Sequence, residues 1–245
     1  KYFPSEIFEK LGELGLFGMV ADEEYGGAGL DLIGYCLVLE ELARGDASTC
    51  VAISVTNSLF CAPLQRYGTS EQKERFLCPC VNGEWLGAFC LSESGAGSDA
   101  AALSTIARRE GDDFVLSGSK AWVTNGAVCG AMLVFAVTDP ESARSRVSAF
   151  VIPADHPGAS IVHEEDKLGI RSSRTNQVAL DDCRIPREWM LGEEGQGLAI
   201  ALNSLDGGRV GIAAQAVGIG HAALAFTLDY VREREVFGGP IGRFG

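Results

Sequence analysis

The stretch "EWLGAFCLSESGAGSDAAALSTIARREGDDFVLSGSKAWVTNG" (residues 84–126) decides the fold, because hydrophobic periodicity changes character inside it. Before it the chain reads helical. From about Glu84 onward it breaks into short segments rich in β-branched and aromatic residues, separated by turn residues. "WLGAFCL", "LSTIARRE", "DFVLSGSK" and "AWVTNG" are followed by "AMLVFAVT", "RVSAFVIP" and "NQVALDDCRIP". The turn "EGDD" joins the second and third segments as a hairpin. No amphipathic helix separates these strands, so parallel βαβ units are disfavoured and an antiparallel sandwich or barrel of about a hundred residues is expected.

On the N-terminal side, "SEIFEKLGELGL" repeats Ile7, Leu11 and Leu14 at helical spacing. "DLIGYCLVLEELAR" follows a candidate cap at Asp31, and "TSEQKERFLCPCV" follows one at Thr69 or Ser70. After "LGEEGQG" a helical pattern resumes in "LAIALNSLDGGRVGIAAQAVGIGHAALAFTLDYVRERE", whose small residues permit close helix packing. The fold class is therefore α+β: a helical domain (residues 1–83), a middle β domain (84–194) and the start of a second helical domain (195–245). So apolar a final helix needs covering neighbours, from another subunit or from further residues.

Composition limits the function classes. The 245 residues are 47% hydrophobic, enough for one large or two modest domains with a buried core. The formal net charge of −13, from 33 acidic and 20 basic residues, offers no basic stripe for DNA or RNA. Two uncharged stretches, from Ala47 and from Val210, have the length of membrane spans. Ser48, Thr49, Ser54, Thr56, Asn57 and Ser58 interrupt the first, and Gln215 and His221 the second, so buried helices rather than membrane insertion are expected for both. The eight cysteines sit mostly in apolar runs, and "CPC" at Cys78 and Cys80 is too tight for a routine disulfide. With three histidines there is no zinc-ligand spacing, and reduced thiols in a cytosolic or matrix-like compartment follow.

The order of helices, β domain and helices, with "CLSESGAGSDAAA" opening the β part, resembles the acyl-CoA dehydrogenase family. The resemblance spans essentially the whole chain: "LEELARGDAST", "SGSKAWVTNG", "EDKLGIRSSRTNQVALDDCRIP", "LDGGRVGIAAQAVGIGHAAL" and "REREVFGGPIG" all carry it. It is greatest to the short-chain, butyryl-CoA type. The family reaction is FAD-dependent α,β-dehydrogenation of an acyl-CoA thioester to the trans-2-enoyl-CoA, with electrons passed to an electron-transfer flavoprotein. The resemblance further implies a homotetramer in the bacterial cytoplasm or the mitochondrial matrix, and a chain shortened at both ends.

By that resemblance Phe89, Cys90, Leu91, Ser92, Glu93, Ser94, Gly95, Ala96, Gly97 and Ser98 lie along the cofactor, and Ser98 also meets the acyl-CoA. Gly95 and Gly97 let backbone N–H groups approach a ligand, while Ser92 and Ser98 add hydroxyls without bulk. Read without the resemblance, this is a flexible surface turn. Glu93 and Asp99 are explained by turn or cap hydrogen bonds rather than by paired-carboxylate catalysis. Trp122, Val123 and Thr124 become flavin contacts, and an aromatic plane there excludes water. Asp206, Gly207, Gly208 and Arg209 line the acyl-CoA site, although Asp206 and Arg209 also suit an ordinary i,i+3 ion pair. Arg234 matches the family arginine that reaches FAD, commonly across a subunit boundary; its bland role is a cation at a helix C-terminus.

Two departures stand out. Ser94 replaces a common proline, which loosens the loop. The family's catalytic glutamate lies in a C-terminal region this sequence does not include, and Gly208 occupies the place where some relatives carry an alternative base, so no catalytic residue is assigned. A non-catalytic module that binds flavin or acyl-CoA, and an oxygen-reactive oxidase-like flavoenzyme, are the alternatives.

Overall fold

The protein is described by a computed structural model covering residues 3–142 and 145–244. The N-terminal third forms four helices. Helix α1 (Ser5–Glu13) buries Phe8 and Gly12. Helix α2 (Leu32–Gly45) begins at Asp31, whose carboxylate accepts from the Gly34 N–H at 2.7 Å. Asp46 caps α3 (Ala47–Tyr67) in the same way, accepting from the N–H groups of Ser48 and Thr49. Helix α4 (residues 70–81) opens with a reciprocal capping box between Thr69 and Gln72. A π-helical turn at Thr56–Cys61 widens α3 midway, a distortion that commonly marks functional positions.

Eight strands follow: β1 (Leu86–Cys90), β2 (Ile106–Glu110), β3 (Asp113–Thr124), β4 (Cys129–Val137), β5 (Val147–Pro153), β6 (Ala159–Glu164), β7 (Thr175–Pro186) and β8 (Met190–Leu191). They form one sheet in the order β6-β7-β3-β2-β4-β5-β8, with β1 added alongside β4. The expected hairpin is present: Glu110 faces Asp113 across Gly111 (φ +68°) and Asp112. Two expectations are corrected. The sheet is not wholly antiparallel, because β1 runs parallel to β4, and β2 meets β4 in a single parallel pair, Ile106 with Val137. The β2–β3 hairpin supplies the long return that a parallel pair requires, so no crossover helix is needed. Also, "DFVLSGSK" and "AWVTNG" are one strand, β3, with a bulge near Trp122.

Strand β4 shows why its sequence is an unbroken apolar run. Leu133, Phe135 and Val137 pack with Phe60, Leu64, Phe76, Leu77 and Ile200 of the helices. The alternate residues Met132, Val134 and Ala136 pack inside the β domain with Phe114, Phe150 and Val178. A strand covered on both faces carries no polar alternation.

Helix α5 (Gly197–Glu233) is 37 residues long and crosses α2 and α3. Small residues make the crossing close: a Cβ at Gly218 would lie 2.2 Å from the Glu40 carbonyl oxygen. His221 Nδ1 stands 2.7 Å from Glu40 Oε1 beside this contact. A two-stranded ribbon, β9 (Glu235–Val236) with β10 (Gly239–Pro240), follows, and a 3-10 turn at Ile241–Arg243 comes after it. The expectation that both uncharged stretches are buried holds for one of them. Helix α3 is largely interior, whereas from Val210 onward α5 buries only Gly211, Gln215 and Gly218. Ile212, Val217, Leu224, Phe226 and Tyr230 stand exposed, since the helix reaches past the elements that cover its other side. Length and composition would let either helix cross a membrane.

Candidate functional site

A cavity of about 320 Å³ opens where α3, β1, β3 and α5 meet. Helix α3 contributes Val55 and Leu59, the second from its π-helical turn. Strand β1 and the loop after it give Phe89, Leu91, Ser92, Gly97, Ser98 and Ala100, and β3 gives Ala121, Trp122 and Thr124. Leu202, Leu205 and Arg209 come from α5 at i, i+3 and i+7, one helical stripe. The lining is apolar at its core, with three hydroxyls and a single guanidinium. Among the described residues it contains no carboxylate and no histidine.

Of the candidates named from sequence, eight converge here: Phe89, Leu91, Ser92, Gly97, Ser98, Trp122, Thr124 and Arg209. The others do not line the cavity. Cys90 and Val123 point into the β-domain core, and Ala96 into the core shared with the helices. Ser94 and Gly95 sit in the loop beyond the rim. Gly207 lines a separate cavity of about 280 Å³ beside Tyr35 and Tyr67. Gly208 is buried, its missing side chain facing Leu59 and Ser58. Asp206 pairs with Arg209 at 2.5 Å on the exposed side of α5. Arg234 follows the last residue of α5, about 37 Å along the helix from Arg209. No side chain spans that distance, so this chain does not bring Arg234 to its own cavity.

Glu93 is turned away from the cavity altogether. Its carboxylate pairs with Lys120 Nζ at 2.7 Å and accepts from the Ser104 and Thr105 N–H groups at 2.8 and 3.0 Å. Burial opposes its ionisation, but the hydrogen bonds from Lys120, Ser104 and Thr105 outweigh that and hold its pKa at about 2. Burial draws the Lys120 ammonium below its ordinary range while Glu93 keeps it charged. The structural role read for Glu93 is thus an ion pair as well as backbone capping. All eight cysteines are free thiols, and burial pushes those of Cys50 and Cys129 up to about 12, which disfavours their thiolate forms.

Gly97 and Trp122 at the rim, and Gly95 in the loop next to it, are open to solvent. A Cβ at Gly95 or Gly97 would touch nothing within 4 Å, and neither residue has a positive φ. Gly95 lies within the tight turn that the Glu93 and Ala96 backbones close, while the lack of bulk at Gly97 serves no packing within the chain. Trp122 is 62% exposed and holds φ +60°, a left-handed backbone that a bulky residue rarely adopts. The exposed, strained Trp122 and the open Gly97 thus leave one side of the cavity uncovered by the chain's own side chains.

Sequence reasoning missed Val55, Leu59, Ala100, Ala121, Leu202 and Leu205. The stripe Leu202, Leu205, Arg209 was legible as helical spacing. Val55 and Leu59 were not, because on a helix that is buried all round nothing in the sequence marks which side meets a cavity.

A helical layer, a mixed sheet and a long second-layer helix enclosing an apolar, hydroxyl-rimmed cavity define a class, and the sequence fits it at every part. The chain belongs to the acyl-CoA dehydrogenase family: residues 1–84 match the model of its N-terminal domain, 88–183 its middle domain and 195–245 its C-terminal domain. It is 49% identical over 239 residues to the mitochondrial short-chain specific acyl-CoA dehydrogenase of Rattus norvegicus, covering 98% of this chain and 58% of that protein. It superposes on the solved butyryl-CoA dehydrogenase of Megasphaera elsdenii with a TM-score of 0.96 and 43% identity, over 99% of this chain and 64% of that one. A structure described as the electron transferring flavoprotein of Acidaminococcus fermentans matches with a TM-score of 0.97 and 42% identity, over 99% of this chain and 64% of that one. The chain thus spans about three fifths of the length of the relatives it matches.

Proposed function

We propose that this chain forms the flavin-facing and acyl-facing wall of an FAD-dependent enzyme that dehydrogenates short acyl-CoA thioesters to trans-2-enoyl-CoA. The observation that carries the reading is the convergence of Phe89, Ser92, Ser98, Trp122, Thr124 and Arg209, from three separate regions of sequence, on one cavity. The glycine-lined rim and exposed Trp122 fit a flat cofactor approached by backbone N–H groups, with Ser92, Ser98 and Thr124 as hydroxyl donors. FAD, when bound, supplies the two-electron acceptor that takes the β-hydrogen of the substrate as hydride.

The chain's own residues do the rest of what this wall requires. Val55, Leu59, Leu202 and Leu205 hold an acyl chain and exclude water, which strengthens polar contacts to the thioester. Arg209 offers the one cation of the lining to a polar, anionic ligand. The α-proton of a thioester is weakly acidic, so a base and hydrogen bonds to the developing enolate are both needed. The cavity lining holds no such base, and we assign it to a carboxylate outside these 245 residues. We assign the electrons to an electron-transfer flavoprotein, and a homotetramer to the complete protein, in keeping with the exposed apolar face of α5.

The absent base also favours a second reading, a binding module without catalysis. Anaerobic titration of FAD-loaded protein with butyryl-CoA separates the two. Flavin that binds to this chain but bleaches only when the remaining C-terminal residues are supplied supports the dehydrogenase. Flavin that stays oxidised in the complete protein supports the module, and hydrogen peroxide formed under air points to an oxidase. Failure of the complete protein to bind FAD overturns the reading.

A further inference from the structure

Trp122 carries the strain of the wall, and the residues that flank its segment are among the few polar side chains that are wholly buried. Lys120 and Asn125 are each 0% exposed. Lys120 Nζ donates to Glu93 Oε1 at 2.7 Å and to the Leu91 carbonyl at 3.3 Å, so it ties β3 to the loop that leaves β1. The Ala121 N–H adds a bond to the Ser92 carbonyl at 2.8 Å on the same line. At the other end, Asn125 has φ +66°, and its Nδ2 donates to the Ala52 carbonyl of α3 and the Gly87 carbonyl of β1, each at 3.0 Å.

Between these two anchors the ladder from β3 to β7 is interrupted: the register shifts between Lys120 and Val123. Trp122 sits in that interruption and has no partner on β7, although the ladder resumes beside it with Val123 opposite Asn176 and Thr124 opposite Thr175. The two buried side chains add ties that β7 does not supply, Lys120 to the loop after β1 and Asn125 to α3 and β1.

We propose that Lys120, through Glu93, and Asn125 are positioning residues that hold the Trp122–Thr124 segment in its ligand-ready shape before any ligand arrives. This rests on the assignment of the cavity to flavin above, and it adds a cause for the wall's geometry. A single buried amide or ammonium could be explained as ordinary core satisfaction. Two of them bracketing a strained, exposed aromatic, and tying it to β1 and α3, give the same rigid frame to the parts of the cavity that come from distant sequence.

The test uses the complete protein. Glu93→Gln combined with Lys120→Met removes the first anchor without stranding a buried charge. Asn125→Gly removes the second while tolerating the positive φ. Both variants are expected to keep wild-type far-UV circular dichroism, to raise the Kd for FAD at least tenfold, and to change the visible circular dichroism of whatever flavin binds. A wild-type Kd with unchanged visible circular dichroism in either variant overturns the role of the anchor removed. Hydrogen exchange on wild-type apoprotein tests the idea without any variant that must fold. Slow exchange at residues 120–125 in the absence of FAD supports a preformed wall, and protection that appears only on adding FAD overturns it. If wild-type protein fails to bind FAD at all, the flavin assignment falls, while slower exchange at residues 120–125 in wild type than in the two variants, all without FAD, still supports the anchors and equal exchange overturns them.

Discussion

Asp206 and Arg209 lie one turn apart on α5 and meet at 2.5 Å, yet only Arg209 lines the cavity. Both side chains are largely exposed, 65% for Arg209 and 72% for Asp206, so the pair contributes little to stability. Arg209→Ala is expected to change unfolding free energy by no more than about 0.5 kcal/mol. The same change should weaken acyl-CoA binding about tenfold, a loss of roughly 1.4 kcal/mol. Urea denaturation beside calorimetric titration with an acyl-CoA checks both halves, and an unchanged affinity would remove Arg209 from the site.

The Glu93–Lys120 pair behaves in the opposite way because it is buried. Lys120→Met alone leaves a carboxylate without its partner in the core and should cost about 3–5 kcal/mol. The double change with Glu93→Gln should recover most of that loss. Equilibrium unfolding of the two variants decides it; equal destabilisation would mean that the charge pairing is not what Lys120 provides.

Acid stability follows from the same carboxylate. The folded pKa of Glu93 is about 2 against an ordinary 4.5, so the folded state favours its ionised form. That contribution is complete above the unfolded value and is lost as pH falls from about 4.5 towards about 2. The stability gap between wild type and Glu93→Gln should therefore narrow steadily over that window. A gap that stays constant with pH would contradict the assignment.

Glycines at the cavity and in the core should respond differently to one added methyl group. Gly87→Ala would place a Cβ 2.3 Å from Phe60 Cγ and should destabilise the protein by about 1–3 kcal/mol through overpacking. Gly97→Ala meets nothing in the chain and should stay within about 0.5 kcal/mol of wild type. Its cost should appear instead as FAD affinity lowered about tenfold or more. Thermal melts with fluorescence titration of FAD distinguish the two positions.

Arg234 stands too far along α5 to serve the cavity of its own chain, and a flavin contact from it to another subunit's site is a prediction of the proposed tetramer. Oligomers mixed from Arg234→Ala and Gly97→Ala protein should form a fraction of FAD sites with wild-type affinity, which neither variant forms alone. Mixtures that bind no more FAD than the average of their parents would exclude a shared site.

The sequence by itself determined the α+β class and the succession of helical, β-rich and helical parts. It also determined the cap at Asp31 and the "EGDD" hairpin, and narrowed the next cap to Thr69 or Ser70, of which the structure uses Thr69. These are set by local spacing and by side-chain hydrogen bonds within a few residues. The motifs "FCLSESGAGS" and "WVT" marked two walls of the cavity only through the family resemblance, and they did not show which of their side chains face it. Alternation along a strand decides that: Phe89 looks into the cavity and Cys90 into the core, and Trp122 and Thr124 flank the inward Val123. Tertiary structure alone decided the rest. Parallel pairing of β1 with β4 depends on where a distant hairpin folds back. The placing of Val55 and Leu59 depends on how α5 crosses α3, and the burial of Lys120 requires a carboxylate 27 positions away in sequence. Each is a contact between segments remote in sequence, which local propensity and periodicity do not encode.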